Sequence, residues 1–141
     1  MARYTFPCPI RWSDMDAYGH VNNVPFLTYL EEARIDMLQH LIARAQADDG
    51  PRAAAILVAS TAIDYLRPLV YRATPVPIDV WVTKIGGAHF DLAYEVHDGD
   101  HHVYARASSR LVAYDFRIQT PRRLRPHERA LLESYLQPAP P

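Results

Sequence analysis

The segment best equipped for chemistry is RWSDMDAYGHVNNVPFLTYLEEAR, which runs from residue 11 to residue 34. It places two carboxylates, Asp14 and Asp16, two residues apart, and a glycine, a histidine and two asparagines follow closely. Residues two apart on an extended chain share a face, and in a sheltered pair of carboxylates one raises the pKa of the other. The same residue types also populate turns and helix caps. The segment is therefore either a polar helix cap or an active site.

A long helix is predicted directly behind these polar residues, from Val24 to about Ala45. Asn22 and Asn23 favour a helix start, Pro25 suits a first turn because no N–H is needed there, and the stretch QADDGPR ends the helix. Steps of three and four residues define the stripe expected to face the core: Leu27, Leu30, Arg34, Met37, Leu38, Leu41 and Ile42.

The position of the carboxylates relative to this helix favours chemistry. A carboxylate in front of a helix lies beside free backbone N–H groups and the positive end of the helix dipole. Such groups stabilise the oxyanion that develops when a carbonyl is attacked. The segment can therefore serve as an acyl-transfer site.

The rest of the chain is predicted to form antiparallel strands. Alternation with period two marks a strand over residues 3–13, whose prolines favour a sheet edge, and its apolar face carries Tyr4, Phe6, Cys8, Ile10 and Trp12. Further strands are predicted over 55–66, 77–85, 89–96 and 102–116, and a short helix over 126–136. The Gly86-Gly87 pair and the DGD sequence at 98–100 favour tight hairpins, so the last three strands form a meander. This order predicts an α+β domain.

Size and composition limit the remaining possibilities. The 141 residues, 49% of them hydrophobic, fit one domain over 1–136 with a disordered tail at 137–141. A net charge of -1 favours neither nucleic acid nor an anionic membrane as partner. One cysteine excludes an internal disulfide, and the start of the chain has no long apolar run. We therefore expect a cytoplasmic protein.

The sequence DMDAYGHVNN resembles the D-x-D-x-x-G-H-V-N-N segment of the 4-hydroxybenzoyl-CoA-thioesterase-like family of hot-dog-fold acyl-CoA thioesterases. The stretches AIDYLRPLVYR and KIGGAHFDLAYEV resemble the following strands of that family, so the similarity spans about residues 5 to 125. The resemblance implies a hot-dog fold, in which an antiparallel β-sheet wraps a long central helix. It also implies that two protomers pair their sheets edge to edge, giving a homodimer or a homotetramer.

The resemblance further implies roles for three residues of the segment. Asp16 becomes the catalytic carboxylate, either as nucleophile on the thioester carbonyl or as base for a water molecule. The backbone N–H of Asn23 polarises that carbonyl at the helix start. His20 supports them by a hydrogen bond to a carboxylate or to the loop backbone.

Five residues are expected to support substrate binding. Gly19 lets the chain turn tightly against the acyl group, and Asp14 orients the loop. Tyr65 lies in the AIDYLRP stretch, and Lys84 and His89 flank the predicted hairpin. That hairpin is poorer in basic and hydroxyl residues than in the family, so the CoA phosphates are expected to bind to arginines elsewhere: Arg67, or the cluster of Arg117, Arg122, Arg123 and Arg125.

The expected activity is hydrolysis of an acyl-CoA thioester to a free acid and CoA. The reaction needs no metal and no redox cofactor, because the CoA thioester is itself the substrate. Two alternatives remain open: hydrolysis of acyl groups from acyl carrier protein, for which the C-terminal arginines provide a basic patch, and a non-catalytic acyl-CoA-binding module of the same fold.

Overall fold

A computed structural model describes residues 3–48, 50–100 and 102–138 of the chain. These residues form six strands and two α-helices, and a short 3-10 turn at Trp12–Asp14 precedes the first helix. The elements are β1 (Tyr4–Cys8), α1 (Asn23–Asp48), β2 (Ala55–Tyr65), β3 (Val76–Ile85), β4 (His89–His97), β5 (Val103–Asp115), β6 (Thr120–Pro121) and α2 (Pro126–Ser134). The predicted α+β class is confirmed.

One antiparallel sheet carries the strands in the order β1-β3-β4-β5-β2, and β6 pairs with the end of β5. The predicted meander of three strands is therefore confirmed. Its hairpins close where expected, with a 2.7 Å bond from the Gly86 N–H to the His89 carbonyl and a 3.1 Å bond from the Asp98 N–H to the His102 carbonyl. The proline-bearing strand β1 lies at one edge, as predicted, and β2 forms the other edge.

Helix α1 buries one face against the sheet, and this face matches the predicted one in part. Its buried residues are Phe26, Tyr29, Leu30, Ala33, Met37, Leu38, Leu41 and Ala45. Leu27 and Ile42, which the prediction placed in the core, are 47% and 39% exposed, as is Ile35 at 47%. The helix therefore has a second apolar stripe outside the core, because residues at steps of seven or eight lie near one another on a helix.

The ends of several elements differ from the predictions. The first strand ends at Cys8, before Pro9, and Trp12 is 74% exposed instead of facing the core. Helix α1 continues for about one turn beyond the predicted end, up to Asp48. The two-residue strand β6 was not predicted.

The C-terminal residues contact the sheet past the predicted end of the domain. The Gln137 N–H donates to the Val82 carbonyl at 2.8 Å, and Trp81 Nε1 donates to the Pro138 carbonyl at 3.4 Å. Two residues of the tail predicted to be disordered are thus held on β3, and residues 139–141 lie outside the described part. Within that part, no helix is long and apolar enough to cross a membrane.

Candidate active site

The polar segment folds into a small hairpin in front of α1. The Asn22 N–H donates to the Asp14 carbonyl and the Asp16 N–H to the His20 carbonyl, each at 2.9 Å. The Gly19 N–H closes the tip with a 3.1 Å bond to the Asp16 carbonyl. These backbone bonds fix Asp16 at the base of a tight turn.

A glycine is favoured at position 19 because of its backbone conformation, and not because a side chain would clash with a neighbour. Its φ is +79°, and a Cβ built at this position would meet nothing within 4 Å. The glycine predicted to allow a tight turn therefore does so through the left-handed conformation that residues with a side chain adopt at a cost.

This conformation predicts the effect of substitution at Gly19. Gly19→Ala is expected to lower the free energy of unfolding by about 1–2 kcal/mol, and Gly19→Asn by less, because Asn tolerates positive φ. Urea titration of the three proteins measures both values. Equal losses for Ala and Asn would mean that space, and not φ, selects the glycine.

Asp14 is buried and fully occupied by protein donors. It is 3% exposed and accepts hydrogen bonds from the Arg11 N–H at 3.1 Å, from the Arg11 guanidinium at 2.9 and 3.2 Å, and from the Tyr29 hydroxyl at 2.5 Å. Burial alone would raise the pKa of Asp14, but the bonds from Tyr29 and Arg11 outweigh it and hold the pKa below its usual value. The expectation of a raised pKa in this pair is thus wrong for Asp14, which ties the loop to α1.

The two carboxylate oxygens of Asp16 differ in their hydrogen bonding. Its Oδ1 accepts the Tyr18 N–H at 2.9 Å, which fixes the orientation of the carboxylate, and within the described residues Oδ2 has no hydrogen-bond partner. The residue is partly exposed. It lines a pocket of about 520 Å³ together with Trp12, Ser13, Met15, Ala17, Gly19, Val70 and Tyr71.

The start of α1 forms a second pocket. Asn23 is the first helical residue, so its N–H has no acceptor within the helix. The Tyr65 hydroxyl donates to the Asn23 carbonyl at 3.1 Å, and its ring packs edge-to-face on Phe26 at 5.4 Å. The pocket measures about 320 Å³, and its lining includes His20, Asn23, Phe26, Tyr65 and Arg67.

The two pockets are neighbours, because consecutive residues of two segments line them: Gly19 and His20 in one segment, and Val70 and Leu69 in the other. The Val21 N–H donates to the Leu69 carbonyl at 2.7 Å. Residues up to Leu69 line the pocket at the helix start, and Val70 and Tyr71 line the pocket of Asp16. The structure thus groups Asp16 with Gly19, and His20 with Asn23 and Tyr65, in adjacent cavities.

Lys84 and His89 lie at the opposite end of the sheet. His89 pairs with Val112 and Tyr65 with Ala105, so seven residues of β5 separate them, about 24 Å at 3.4 Å per residue. Lys84 pairs with Asp91, which pairs with Arg110. Along the strand direction, Lys84 is therefore about 17 Å from the level of Tyr65 and Ala105. The structure therefore does not bring them together with Asn23 and Tyr65 within one chain, and their role in substrate binding stays a prediction.

His89 also packs tightly within its own hairpin. A Cβ added at Gly86 would lie 2.4 Å from the His89 ring, so the glycine leaves room for the imidazole. Among the described residues, the buried Nε2 of His89 has no hydrogen-bond partner.

The arginines proposed for phosphate binding differ in their availability. Arg122 is engaged in a buried pair with Glu128, with two bonds at 2.8 and 2.9 Å and side chains 10% and 4% exposed. Burial raises the pKa of Glu128, but the hydrogen bonds from Arg122 and the Arg125 N–H outweigh it, so the pKa is lowered. Arg117 pairs with Asp115 at 3.0 Å. Arg67, in contrast, lines the pocket at the helix start.

In residues 3–48, 50–100 and 102–138, no group of three or more His, Cys, Asp or Glu side chains is placed to hold a metal ion. Sequence reasoning missed Tyr29 as the partner of Asp14, and Val70 and Tyr71 as walls of the Asp16 pocket. The signal that could have identified Val70 and Tyr71 is the apolar end of the RPLVY stretch at residues 67–71.

The chain belongs to the thioesterase-like superfamily, whose family model matches residues 10–138. This match confirms the expected class of enzyme, a thioester hydrolase. No curated protein matches the sequence.

Solved structures of similar proteins share the fold. A predicted thioesterase of Bacillus stearothermophilus superposes with a TM-score of 0.85 at 21% identity, covering 99% of this chain and 100% of that one. The PA2801 protein of Pseudomonas aeruginosa gives 0.78 at 29% identity, with 90% and 95% covered. A thioesterase of Thermus thermophilus, solved with coenzyme A and Zn, gives 0.76 at 27% identity, with 93% and 92% covered. The expected hot-dog fold is confirmed.

Proposed function

We propose that the protein hydrolyses acyl-CoA thioesters to a free acid and CoA, with Asp16 as the catalytic carboxylate. The observation that carries this proposal is the free Oδ2 of Asp16 in a pocket adjacent to the start of α1. Further support comes from the Thermus thioesterase, which is complexed with coenzyme A and is similar to this chain over most of its length.

The proposed reaction uses both pockets at once. The thioester carbonyl lies between them, with its oxygen toward the Asn23 N–H, which stabilises the negative charge of the tetrahedral intermediate. Asp16 Oδ2 either bonds to the carbonyl carbon or accepts a proton from an attacking water molecule. In both routes the C–S bond breaks, the CoA thiolate leaves and takes up a proton, and water supplies the oxygen of the final acid.

The other site residues support this geometry. Tyr65 holds the Asn23 carbonyl and thereby fixes the first turn of α1. His20 lines the same pocket as Asn23, where it keeps its supporting role. Arg67 lines the pocket at the helix start, and its guanidinium suits the phosphate groups of CoA.

The test is a panel of short, medium, long and aromatic acyl-CoAs in a thiol-release assay. The proposal predicts turnover above the rate without enzyme for at least one of them. Binding without turnover across the panel would favour the non-catalytic module. Turnover of acyl groups on acyl carrier protein alone would favour the second alternative.

We also propose that the protein forms a homodimer, through which the site is completed. Strand β2 lies at the edge of the sheet, and its Leu57 and Val58 are 37% and 47% exposed. The second apolar stripe of α1, formed by Leu27, Ile35 and Ile42, is exposed as well. An unpaired edge strand beside an apolar helix face is a surface that pairing with a second copy buries. The predicted role of Lys84 and His89 also requires a second copy, because both lie far from Tyr65 within one chain.

This surface predicts the oligomeric state. The wild-type protein is expected to sediment at a multiple of its 16.1 kDa chain mass, and Ile35→Glu is expected to shift it toward the monomer, because a charge in an apolar interface is costly. Ile118→Glu is the control, since Ile118 is 66% exposed in the turn between β5 and β6, outside β2 and the second apolar stripe. A monomeric wild-type protein in sedimentation velocity would contradict the proposal.

A reducing, cytoplasmic location is also part of the proposal, because a single cysteine leaves no pair for an internal disulfide. Cys8 is a buried free cysteine, and burial raises the pKa of its thiol to about 12. Such a thiol is protonated and unreactive at neutral pH, which supports a structural role in the core.

A further inference from the structure

Two aromatic side chains that lie outside the core of the domain form one wall of the Asp16 pocket. The rings of Trp12 and Tyr71 meet edge-to-face at 5.4 Å with 73° between their planes. Trp12 is 74% exposed and Tyr71 is 38% exposed, and the neighbouring Val70 is 57% exposed. Exposed apolar groups that gather at one pocket mark a binding surface more often than scattered ones do.

The wall lies where the acyl group of a thioester must be. Asp16 lines the same pocket, and its Oδ2 has to reach the carbonyl carbon or a water molecule next to it. That carbon is bonded to the carbonyl oxygen, to the sulfur and to the first carbon of the rest of the acyl group. The adenine ring of CoA is separated from the sulfur by the whole pantetheine arm, so it cannot contact this wall while Asp16 contacts the reacting atoms.

The residues that line the two pockets indicate which pocket takes the acyl group and which takes the CoA arm. The pantetheine arm carries amides that need hydrogen-bond partners, and the pocket at the helix start offers Arg67, His20 and the Asn23 N–H. The Asp16 pocket, apart from Asp16 and Ser13, is lined by apolar and aromatic residues and Gly19. The acyl group therefore occupies the Asp16 pocket, and the CoA arm leaves past the helix start.

We propose that Trp12 and Tyr71 are specificity-determining residues that select aromatic acyl groups over straight-chain acyl groups of equal carbon number. This inference rests on the proposed function and adds the substrate class. Aromatic rings prefer edge-to-face or offset contacts with other rings, a preference that corresponds to about 2- to 12-fold in affinity for each ring pair beyond the effect of buried area. A flexible alkyl chain gains no such contact and loses rotamer freedom when it is held.

The test compares benzoyl-CoA with heptanoyl-CoA, whose acyl groups have the same number of carbons. The wild-type protein is expected to have the higher kcat/KM for benzoyl-CoA. Trp12→Leu and Tyr71→Leu are each expected to lower the ratio of the two kcat/KM values by about 2- to 12-fold. Tyr71→Phe keeps the ring and is expected to keep the ratio.

A matched control lies at the sheet edge opposite β2. Tyr135 forms a similar edge-to-face pair with Tyr4 of β1 at 6.0 Å, so Tyr135→Leu removes an aromatic pair outside the pocket and is expected to leave the ratio unchanged. Circular dichroism and sedimentation of each variant show whether fold and oligomeric state persist. Because Trp12 is largely exposed, its replacement is expected to preserve both.

Two results would overturn the inference. One is a wild-type preference for heptanoyl-CoA, and the other is an unchanged ratio in folded Trp12→Leu and Tyr71→Leu proteins that still hydrolyse both substrates. Failure of the wild-type protein to hydrolyse any acyl-CoA would instead overturn the proposed function. The two failures are thus distinguished by the same assay.

Discussion

Asp16→Asn is expected to lower kcat for thioester hydrolysis by at least about 10²-fold, the lower end of what a positioned acid or base contributes. The amide of Asn is close in size to the carboxylate and can still accept the Tyr18 N–H through its carbonyl oxygen. It can neither attack a carbonyl carbon nor take a proton from water. The free energy of unfolding is expected to stay near the wild-type value, because Asp16 is only partly buried.

The matched control for this substitution is Asp48→Asn. Asp48 is a carboxylate at the other end of α1, 49% exposed and paired with Arg44 at 3.3 Å. It is expected to have wild-type kcat, measured by thiol release under the same conditions. Equal activity of the wild-type and Asp16→Asn proteins, with both folded, would remove Asp16 from the mechanism.

Asp14→Asn is expected to have the largest effect on stability, a loss of about 3 kcal/mol in the free energy of unfolding. The buried carboxylate accepts bonds from Arg11 and Tyr29, and an amide in its place presents N–H groups to these donors. The charged bonds are lost and a buried polar group is left without a partner. Tyr29→Phe, which removes one of these bonds, is expected to cost less.

The same contacts predict how stability depends on pH. The pKa of Asp14 in the folded protein lies below its ordinary value, and the unfolded value is about 3.9. The stabilisation is therefore complete above about pH 4 and is lost as the pH falls through the folded-state pKa. Urea unfolding at pH 7 and at about pH 3 should show a smaller difference between wild-type and Asp14→Asn proteins at the lower pH. A difference that does not change with pH would contradict this role of Asp14.

The sequence was sufficient to predict the order of the elements because their signals are local. Gly86-Gly87 and the turn at 98–100 define the meander, and the residues around Asn23 define the start of α1. The buried face of α1 was predicted only in part, because its sequence carries two apolar stripes and periodicity alone does not tell which one the sheet covers. Leu27 and Ile42 were assigned to the core for this reason, and Trp12 because alternation continues in the sequence beyond Pro9.

The site was predicted only in part, because its contacts are formed between distant segments. Asp16 and the Asn23 N–H were identified within one continuous segment, and their roles remain predictions. The contact between Asp14 and Tyr29 depends on how the loop lies against the helix, which no spacing in the sequence defines. Lys84 and His89 were assigned from their place beside a hairpin, and the sheet places that hairpin far from the helix start.

The central claim is that the chain hydrolyses acyl-CoA thioesters through Asp16. The most direct measurement follows one acyl-CoA from the panel by mass spectrometry, with wild-type and Asp16→Asn proteins side by side. We predict equal amounts of free acid and CoA from the wild-type protein, and at least about 10²-fold slower product formation from Asp16→Asn. Intact acyl-CoA with the wild-type protein across the panel, or equal product from both proteins, would contradict the claim.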